Sequence, residues 1–120
     1  MKIHNYKELK IWQKSRILVK DIYTLTGKFP KEEFYGITSQ SRRATVSVVS
    51  NIAEGAGRST DRDFNRFLDI ARGSLFELET LMILSNDLGF LSKEKLDLIL
   101  DTVSEIIRMT LSFQEKLSSE

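Results

Sequence analysis

Three glutamates, Glu54, Glu77 and Glu79, are the residues of this sequence whose type and spacing could do acid–base chemistry. Two carboxylates act as general acid and general base when a cleft holds them together and separates their pKa values. The sequence indicates neither a cleft nor such a separation. We therefore predict that the chain has no catalytic residues and is not an enzyme, and we keep a carboxylate-dependent enzyme as an alternative hypothesis.

The same glutamates lie in polar lines along two helical segments. One segment repeats polar residues at helical spacing: Ser47, Asn51, Glu54 and Arg58. In the next segment, Glu77 continues a line from Arg66 and Gly73. If these lines face each other, their groups form an inter-helix network of hydrogen bonds and ion pairs that fixes helix register. The predicted members of this structural network are Asn51, Glu54, Arg58, Glu77 and Glu79.

The residue types argue against a metal or cofactor site. His4 is the only histidine, and there is no cysteine, so disulfides and thiolate ligands are excluded. Di-metal carboxylate bundles need a Glu-x-x-His pair on each of two helices. We expect His4 to be exposed or to contact the entry of a helix, and we predict no metal and no cofactor.

The segment from Gly55 to Thr60 superficially resembles a phosphate-binding loop. It lacks a third glycine and a Gly-Lys-Ser/Thr ending, and it follows a helical pattern rather than a strand. We interpret its glycines as a chain reversal between two helices.

Basic residues concentrate in the first part of the chain. Residues 1–30 carry seven Lys/Arg against two Asp/Glu, a balance of +5, although the whole chain has a net charge of only +1. Such clustering is what a phosphate-binding surface needs, although a solvated lysine face is an alternative explanation. Trp12 and Tyr23 fit a core stripe, so we expect contacts to the nucleic-acid backbone rather than to bases. The candidate phosphate contacts are Lys7, Lys10, Lys14, Lys20, Arg42 and Arg43.

Apolar periodicity predicts four helices that position these residues. The first begins at Asn5 with a capping box and ends at Gly27, where a left-handed residue is expected. After a short turn from Pro30 to Tyr35, the second runs from Ile37 to Ala56. Thr60 caps the third, which Gly89 ends, and Ser92 caps the fourth. We therefore predict an all-α, antiparallel, up-down-up-down four-helix bundle that forms one domain over residues 1–120.

The first and third helices each carry two adjacent apolar stripes, which is more than a bundle helix needs. This excess favours a homo-oligomer. The N-terminus has no apolar core of a signal peptide, and no apolar run is long enough to span a membrane. We therefore expect a cytoplasmic protein without a membrane partner.

Several motifs together resemble one known family. They are Leu9-x-x-Trp12-Gln13, Ile22-Tyr23, Phe29-Pro30 and Glu33-x-x-Gly36, followed by Gln40-x-x-Arg43-Ala44 and Ser47-x-x-x-Asn51-Ile52-Ala53-Glu54-Gly55. The last is Phe67-Leu68-x-Ile70-Ala71-x-Gly73-Ser74-x-x-Glu77-Leu78-Glu79-Thr80. Over about Tyr6 to Leu91, the sequence resembles the bacterial four-helix-bundle proteins encoded in intervening sequences of 23S ribosomal RNA genes.

This resemblance implies an antiparallel four-helix bundle assembled into a ring-shaped homopentamer. The family has no established biochemical activity. The similar accessory variability determinant of diversity-generating retroelements binds nucleic acid and a reverse transcriptase, which makes RNA, DNA and a reverse transcriptase possible partners. Val49 stands where many relatives carry proline, so we expect a straighter second helix.

The residues and the resemblance lead to one functional hypothesis. We predict a non-enzymatic, homo-oligomeric, nucleic-acid-associated adaptor that uses a basic surface on its first two helices. The alternative is a protein-interaction scaffold without direct contact to nucleic acid.

Overall fold

Four long helices account for most of the chain. The computed structural model describes residues 4–119, except for the side chain of Ser119, and within that range it contains helices and no strand. The helices are α1 (Lys10–Thr26), α2 (Ser39–Ala56), α3 (Asp61–Asp87) and α4 (Lys93–Ser119). This arrangement is consistent with a four-helix bundle. None of the helices in the described range is long and apolar enough to cross a membrane.

The start of α1 differs from the prediction. The side chain of Asn5 does accept a hydrogen bond, from the backbone N–H of Lys7 at 3.2 Å, but it caps only a 3₁₀ turn over Tyr6–Glu8. Leu9 then adopts an extended conformation, and α1 begins at Lys10. The capping signal was correct, but one extended residue separates the capped turn from the helix.

The helix ends divide into correct and incorrect predictions. Gly27 ends α1 in a right-handed conformation, with φ of −62°, so the predicted left-handed residue is wrong. Gly89 ends α3 with φ of +84°, as predicted. There the N–H of Phe90 donates to the carbonyl of Ser85, and the Phe90 ring lies 5.8 Å from that of Phe29. Such paired bonds and contacts satisfy the last carbonyls of a helix.

The link between α1 and α2 contains a feature that periodicity does not reveal. A 3₁₀ turn over Lys31–Glu33 passes directly into a π turn over Phe34–Thr38, so α2 begins at Ser39. Gly36 lies inside the π turn with non-helical angles, φ −106° and ψ −118°. The Glu33 carboxylate accepts the N–H of Ile37 at 3.5 Å, which ties the two turns together.

The core is built mainly around α3. The predicted first stripe of α3 is buried throughout: Phe64, Leu68, Ala71, Leu75, Leu78, Met82 and Ser85. On α1, the buried line runs through Ile11, Leu18 and Ile22. The stripe that includes Tyr23 lies at the edge instead, and Tyr23 itself is exposed. The prediction that Tyr23 is a core residue is therefore wrong.

Helices α2 and α3 approach each other closely at Gly55. A Cβ atom on Gly55 would lie 2.7 Å from the Cβ of Phe67 and 2.8 Å from the Phe64 ring. Gly73 offers a contrast, because a Cβ there would meet nothing within 4 Å. Only the first of these helical glycines is required by packing.

This contrast predicts opposite effects of two matched substitutions. Gly55→Ala should lower the free energy of unfolding by about 1–3 kcal/mol, because the added methyl overfills the contact. Gly73→Ala should raise it by about 0.5–1 kcal/mol, because alanine is the better helix former. Urea unfolding at equal protein concentration would measure both. A Gly55→Ala variant as stable as Gly73→Ala would contradict the close approach.

Candidate nucleic-acid interface

The four candidate lysines of the first helical region lie in different environments. Lys7 lies in the 3₁₀ turn with its ammonium 5.9 Å from the centre of the Tyr6 ring. Lys10 and Lys20 are exposed on α1. Lys14 is only partly exposed, and its Nζ lies 3.2 Å from a carboxylate oxygen of Glu105 on α4. An ion-paired lysine is a weaker phosphate contact than an unpaired one. The main role of Lys14 is therefore to join α1 to α4.

The surface around Lys10 holds cations that the sequence analysis missed. A groove of ≈ 440 Å³ between the start of α1 and the end of α4 is lined by Lys10, Arg108 and Lys116, together with Glu8. Arg108 and Lys116 are far from Lys10 in the sequence. Only the packing of α4 on α1 brings these charges together, so no local pattern could have revealed them.

Arg42 lies against the end of α1. Its Nε donates to the hydroxyl of Thr26 at 3.0 Å, and its guanidinium lies 4.4 Å from the centre of the Tyr23 ring. The buried Thr26 hydroxyl donates in turn to the carbonyl of Ile22. The positive charge of Arg42 is therefore held in place, because its side chain is fixed from two directions.

Arg43 is exposed and makes no hydrogen bond or ion pair with the residues that the structure describes. It lines a groove of ≈ 540 Å³ together with Arg42 and three aromatic side chains, Tyr23, Phe34 and Tyr35. The sequence analysis placed Tyr23 in the core and found no exposed aromatic side chain for base stacking, whereas all three of these aromatic side chains are exposed. The reason is the π turn, which carries Phe34 and Tyr35 outward.

Lys20 lies one helical turn from Tyr23 on α1, and the Tyr23 ring contacts Arg42. One turn further back, the guanidinium of Arg16 lies 5.5 Å from the centre of the Trp12 ring. Arg16 was not among the predicted contacts. Its spacing of four residues from Lys20 is a signal that the sequence already contained.

The predicted polar network forms only in part within one chain. The amide of Asn51 donates to the carbonyl and hydroxyl of Ser47, and the hydroxyls of Ser47 and Ser74 lie 2.9 Å apart. Among the described residues, Glu54, Glu77 and Glu79 have no hydrogen-bond or ion-pair partner. They lie outside the α2–α3 contact, because small hydroxyl groups fill the contact itself.

Arg58 also makes a different contact from the predicted one. Its guanidinium lies 4.5 Å from the centre of the Phe67 ring, across the turn between α2 and α3. The hydroxyl of Thr60 accepts the N–H of Asp63 and caps α3, as predicted. The segment from Gly55 to Thr60 is therefore the chain reversal that was expected.

His4 contacts the entry of α3. Its ring packs edge-on against Phe64 and Phe113, with centres 5.0 and 5.9 Å away, and its Nε2 lies 3.9 Å from a carboxylate oxygen of Asp61. In the part of the chain that the structure describes, no three His, Cys, Asp or Glu side chains are grouped so that they could hold a metal ion.

A second polar cluster joins α3 to the end of α4. The Asp69 carboxylate accepts hydrogen bonds from Gln114 at 2.8 Å and from Arg72 at 3.0 Å. The Gln114 hydrogen bond lowers the pKa of Asp69 most, partial burial opposes it, and the hydrogen bond and charge of Arg72 lower it further, so that the pKa lies below its ordinary value. A carboxyl group held in its charged form is suited to joining helices.

The comparison with protein families decides the identity of the fold. The model of the 23S rRNA-intervening sequence proteins matches residues 7–112. The chain belongs to this family. No functionally curated protein matches it.

A solved structure shares this fold. It is a protein of unknown function from the S23 ribosomal protein family in Bacteroides thetaiotaomicron, and it superposes with a TM-score of 0.81. The two sequences are 23% identical, and the match covers 88% of this chain and 95% of that one. At this identity the likeness concerns the fold alone.

Residues of the family-like motifs have structural tasks in this chain. Glu33 and Gly36 shape the π turn, and Gly55 permits the close approach of α2 and α3. These tasks explain why such residue types are needed there, independently of any ligand. Among the six predicted phosphate contacts, Lys14 and Arg42 have hydrogen-bond partners and Lys7 contacts the Tyr6 ring, whereas the side chains of Lys10, Lys20 and Arg43 have no such contact with the described residues.

The Asp69 cluster predicts a specific pH dependence. Because folding lowers the pKa of Asp69, its contribution to stability is complete above the ordinary value of 3.8 and is lost as the pH falls through the lower, folded-state pKa. Asp69→Asn should lower the free energy of unfolding at pH 7 by up to about 1 kcal/mol, since the group is largely exposed.

Urea unfolding from pH 7 down to pH 3 would check this. The difference between wild type and Asp69→Asn should shrink towards the acid end. Asp101→Asn is the matched control, because Asp101 is exposed on α4 and has no partner among the described residues. A pH-independent difference would refute the role given to the carboxylate.

Proposed function

We propose that this family member is a homo-oligomeric adaptor that binds nucleic acid through the basic surface of α1 and the start of α2 and catalyses no reaction. The observation that carries this proposal is a group of exposed cations without an ion-pair partner among the described residues: Lys7, Lys10, Arg16, Lys20 and Arg43. Lys7 lies in the 3₁₀ turn before α1, Lys10, Arg16 and Lys20 lie on α1, and Arg43 lies near the start of α2. Cations without an ion-pair partner are available to neutralise phosphates, which releases the counterions of the nucleic acid.

The positions of two further cations also support this surface. Arg42 is held beside the exposed Arg43, and Arg108 lines the same groove as Lys10. The charge of Arg42 is fixed by the fold, so it adds to the local potential without a further loss of side-chain freedom on binding. The cytoplasm, where RNA is abundant, is the compartment in which we place this activity.

A charge reversal tests the proposed surface. Lys10→Glu combined with Lys20→Glu should weaken binding to labelled structured RNA and to duplex DNA. It should also reduce the slope of log affinity against log salt by about 2, since each phosphate contact contributes about one unit. Fluorescence anisotropy over a salt series gives both quantities.

The matched control is Arg62→Glu combined with Lys93→Glu, which makes the same change in net charge on α3 and α4. Both control positions lie in the first turn of a helix, where the helix dipole favours glutamate. Lys93→Glu also removes the exposed Lys93–Asp97 ion pair, which contributes little to stability. Equal loss in both double variants would mean that only net charge matters. Absence of binding by the wild type at low salt would reject the proposal and favour a protein-interaction scaffold.

We propose that each chain is an antiparallel bundle and that five chains form a ring. The ring is supported by the second apolar stripe of α3, where Ile70, Leu84 and Leu88 are exposed in the isolated chain. These three side chains lie on one side of the helix, with the exposed Glu77 between Ile70 and Leu84. Exposed apolar side chains grouped on one side of a helix are typical of a surface that covers another subunit.

Leu84→Arg should therefore reduce the molar mass measured by size exclusion with light scattering, because a charge would be buried in the interface. Leu98→Arg is the control, since Leu98 is equally an exposed leucine but lies on α4. A monomeric wild type at micromolar concentration, or the same response in both variants, would contradict an interface on α3.

A further inference from the structure

We infer that the groove between the end of α1, the π turn and the start of α2 binds unstacked bases of single-stranded nucleic acid. This inference rests on the proposed function and narrows its ligand from nucleic acid in general to unpaired segments. The groove brings three exposed aromatic rings to two arginines, and this combination is what base stacking with phosphate contact requires.

The aromatic side of the groove is unusually open. Tyr35 is 91% exposed, Phe34 52% and Tyr23 43%. The rings of Phe34 and Tyr35 are perpendicular, with centres 4.9 Å apart. Tyr35 thus contributes almost nothing to the core of its own chain, and its ring is open to a planar partner. Every base has such a face, so stacking here would tolerate different sequences.

The backbone holds these rings in place. Phe34 and Tyr35 are the first two residues of the π turn. The Glu33 carboxylate, just before them, accepts the N–H of Ile37 within the turn. Ile37 and Thr38, the next residues of the turn, are buried and anchor it. The rings are therefore presented from an anchored turn, which limits the entropy lost when a ligand orders them.

The charge of the groove matches a nucleic-acid strand. Among the described residues that line it, the charged ones are Arg42 and Arg43. Arg42 is fixed by Thr26 and by the Tyr23 ring, whereas Arg43 is exposed and unpaired. A volume of ≈ 540 Å³ is within the range of ligand pockets and is open to solvent along one side. A polyanion with flat, apolar side groups fits this surface in both charge and shape.

A duplex would not use the aromatic rings. Bases in a duplex stack on each other and show only their edges, so an aromatic side chain cannot reach their faces. The α1 lysines can contact the phosphates of either form. The two surfaces therefore make separable predictions.

The experiment compares three labelled probes by anisotropy at one salt concentration: a single-stranded oligouridylate of about 12 nucleotides, an abasic strand of equal length, and a blunt duplex. The proteins are the wild type, Tyr35→Ala, Tyr35→Phe and Leu98→Ala. Tyr35 is so exposed that its replacement should not disturb folding, and light scattering on each variant checks its assembly state.

We expect Tyr35→Ala to bind oligouridylate about 5- to 150-fold more weakly, as the loss of one stacked base implies. Its affinity for the duplex and the abasic strand should not change. Tyr35→Phe, which keeps the ring, and Leu98→Ala, which removes an exposed side chain elsewhere, should bind like the wild type.

The failures are distinguishable. Duplex binding that depends on Lys10 and Lys20, together with no effect of Tyr35→Ala on oligouridylate, overturns the base site and leaves the proposed function intact. A changed molar mass of Tyr35→Ala, with equal losses on all three probes, overturns it by showing that the groove covers a second copy of the chain. Absence of binding to any probe by the wild type overturns both proposals.

Discussion

The close contact between α2 and α3 is the constraint on which the rest of the structure depends. Gly55 leaves no room for a side chain beside Phe67, and the hydroxyls of Ser47 and Ser74 lie within hydrogen-bond distance further along the same contact. Small residues let the helix axes approach, so the side chains of the buried α3 stripe can fill the space between α3 and its neighbours. Helices α1 and α4 then pack against the apolar surface that the α2–α3 pair leaves uncovered.

Polar side chains then fix where the outer helices lie. Arg42 joins the start of α2 to the end of α1, Lys14 joins α1 to α4, and Gln114 joins α4 to α3. Each of these groups is at least partly exposed, so each adds little to stability by itself. These contacts matter for the surface, because Arg42 and Lys14 bond to neighbouring helices while other basic side chains face solvent.

The surface that results has two parts with different physical character. The α1 side carries exposed positive charge, whereas the groove beside the π turn combines arginines with aromatic faces. Charge alone gives affinity without selection, while stacking distinguishes open from paired strands. The shared fold of the family does not determine this difference, because function depends on the surface that a particular member carries on its bundle.

The sequence by itself determined four helices, the caps at Thr60 and Ser92, the left-handed Gly89 and the buried stripe of α3, because these follow from local periodicity and from groups close in the chain. It also identified the basic residues. Only the tertiary structure decided which of two neighbouring stripes on α1 is buried, since that depends on where the partner helices lie. For the same reason, it alone exposed Tyr23, paired Lys14 with Glu105, brought Arg108 to Lys10 and left Glu54 and Glu77 outside the predicted network. Helical periodicity did not predict the π turn, which Glu33 and Gly36 shape and which leaves Phe34 and Tyr35 exposed.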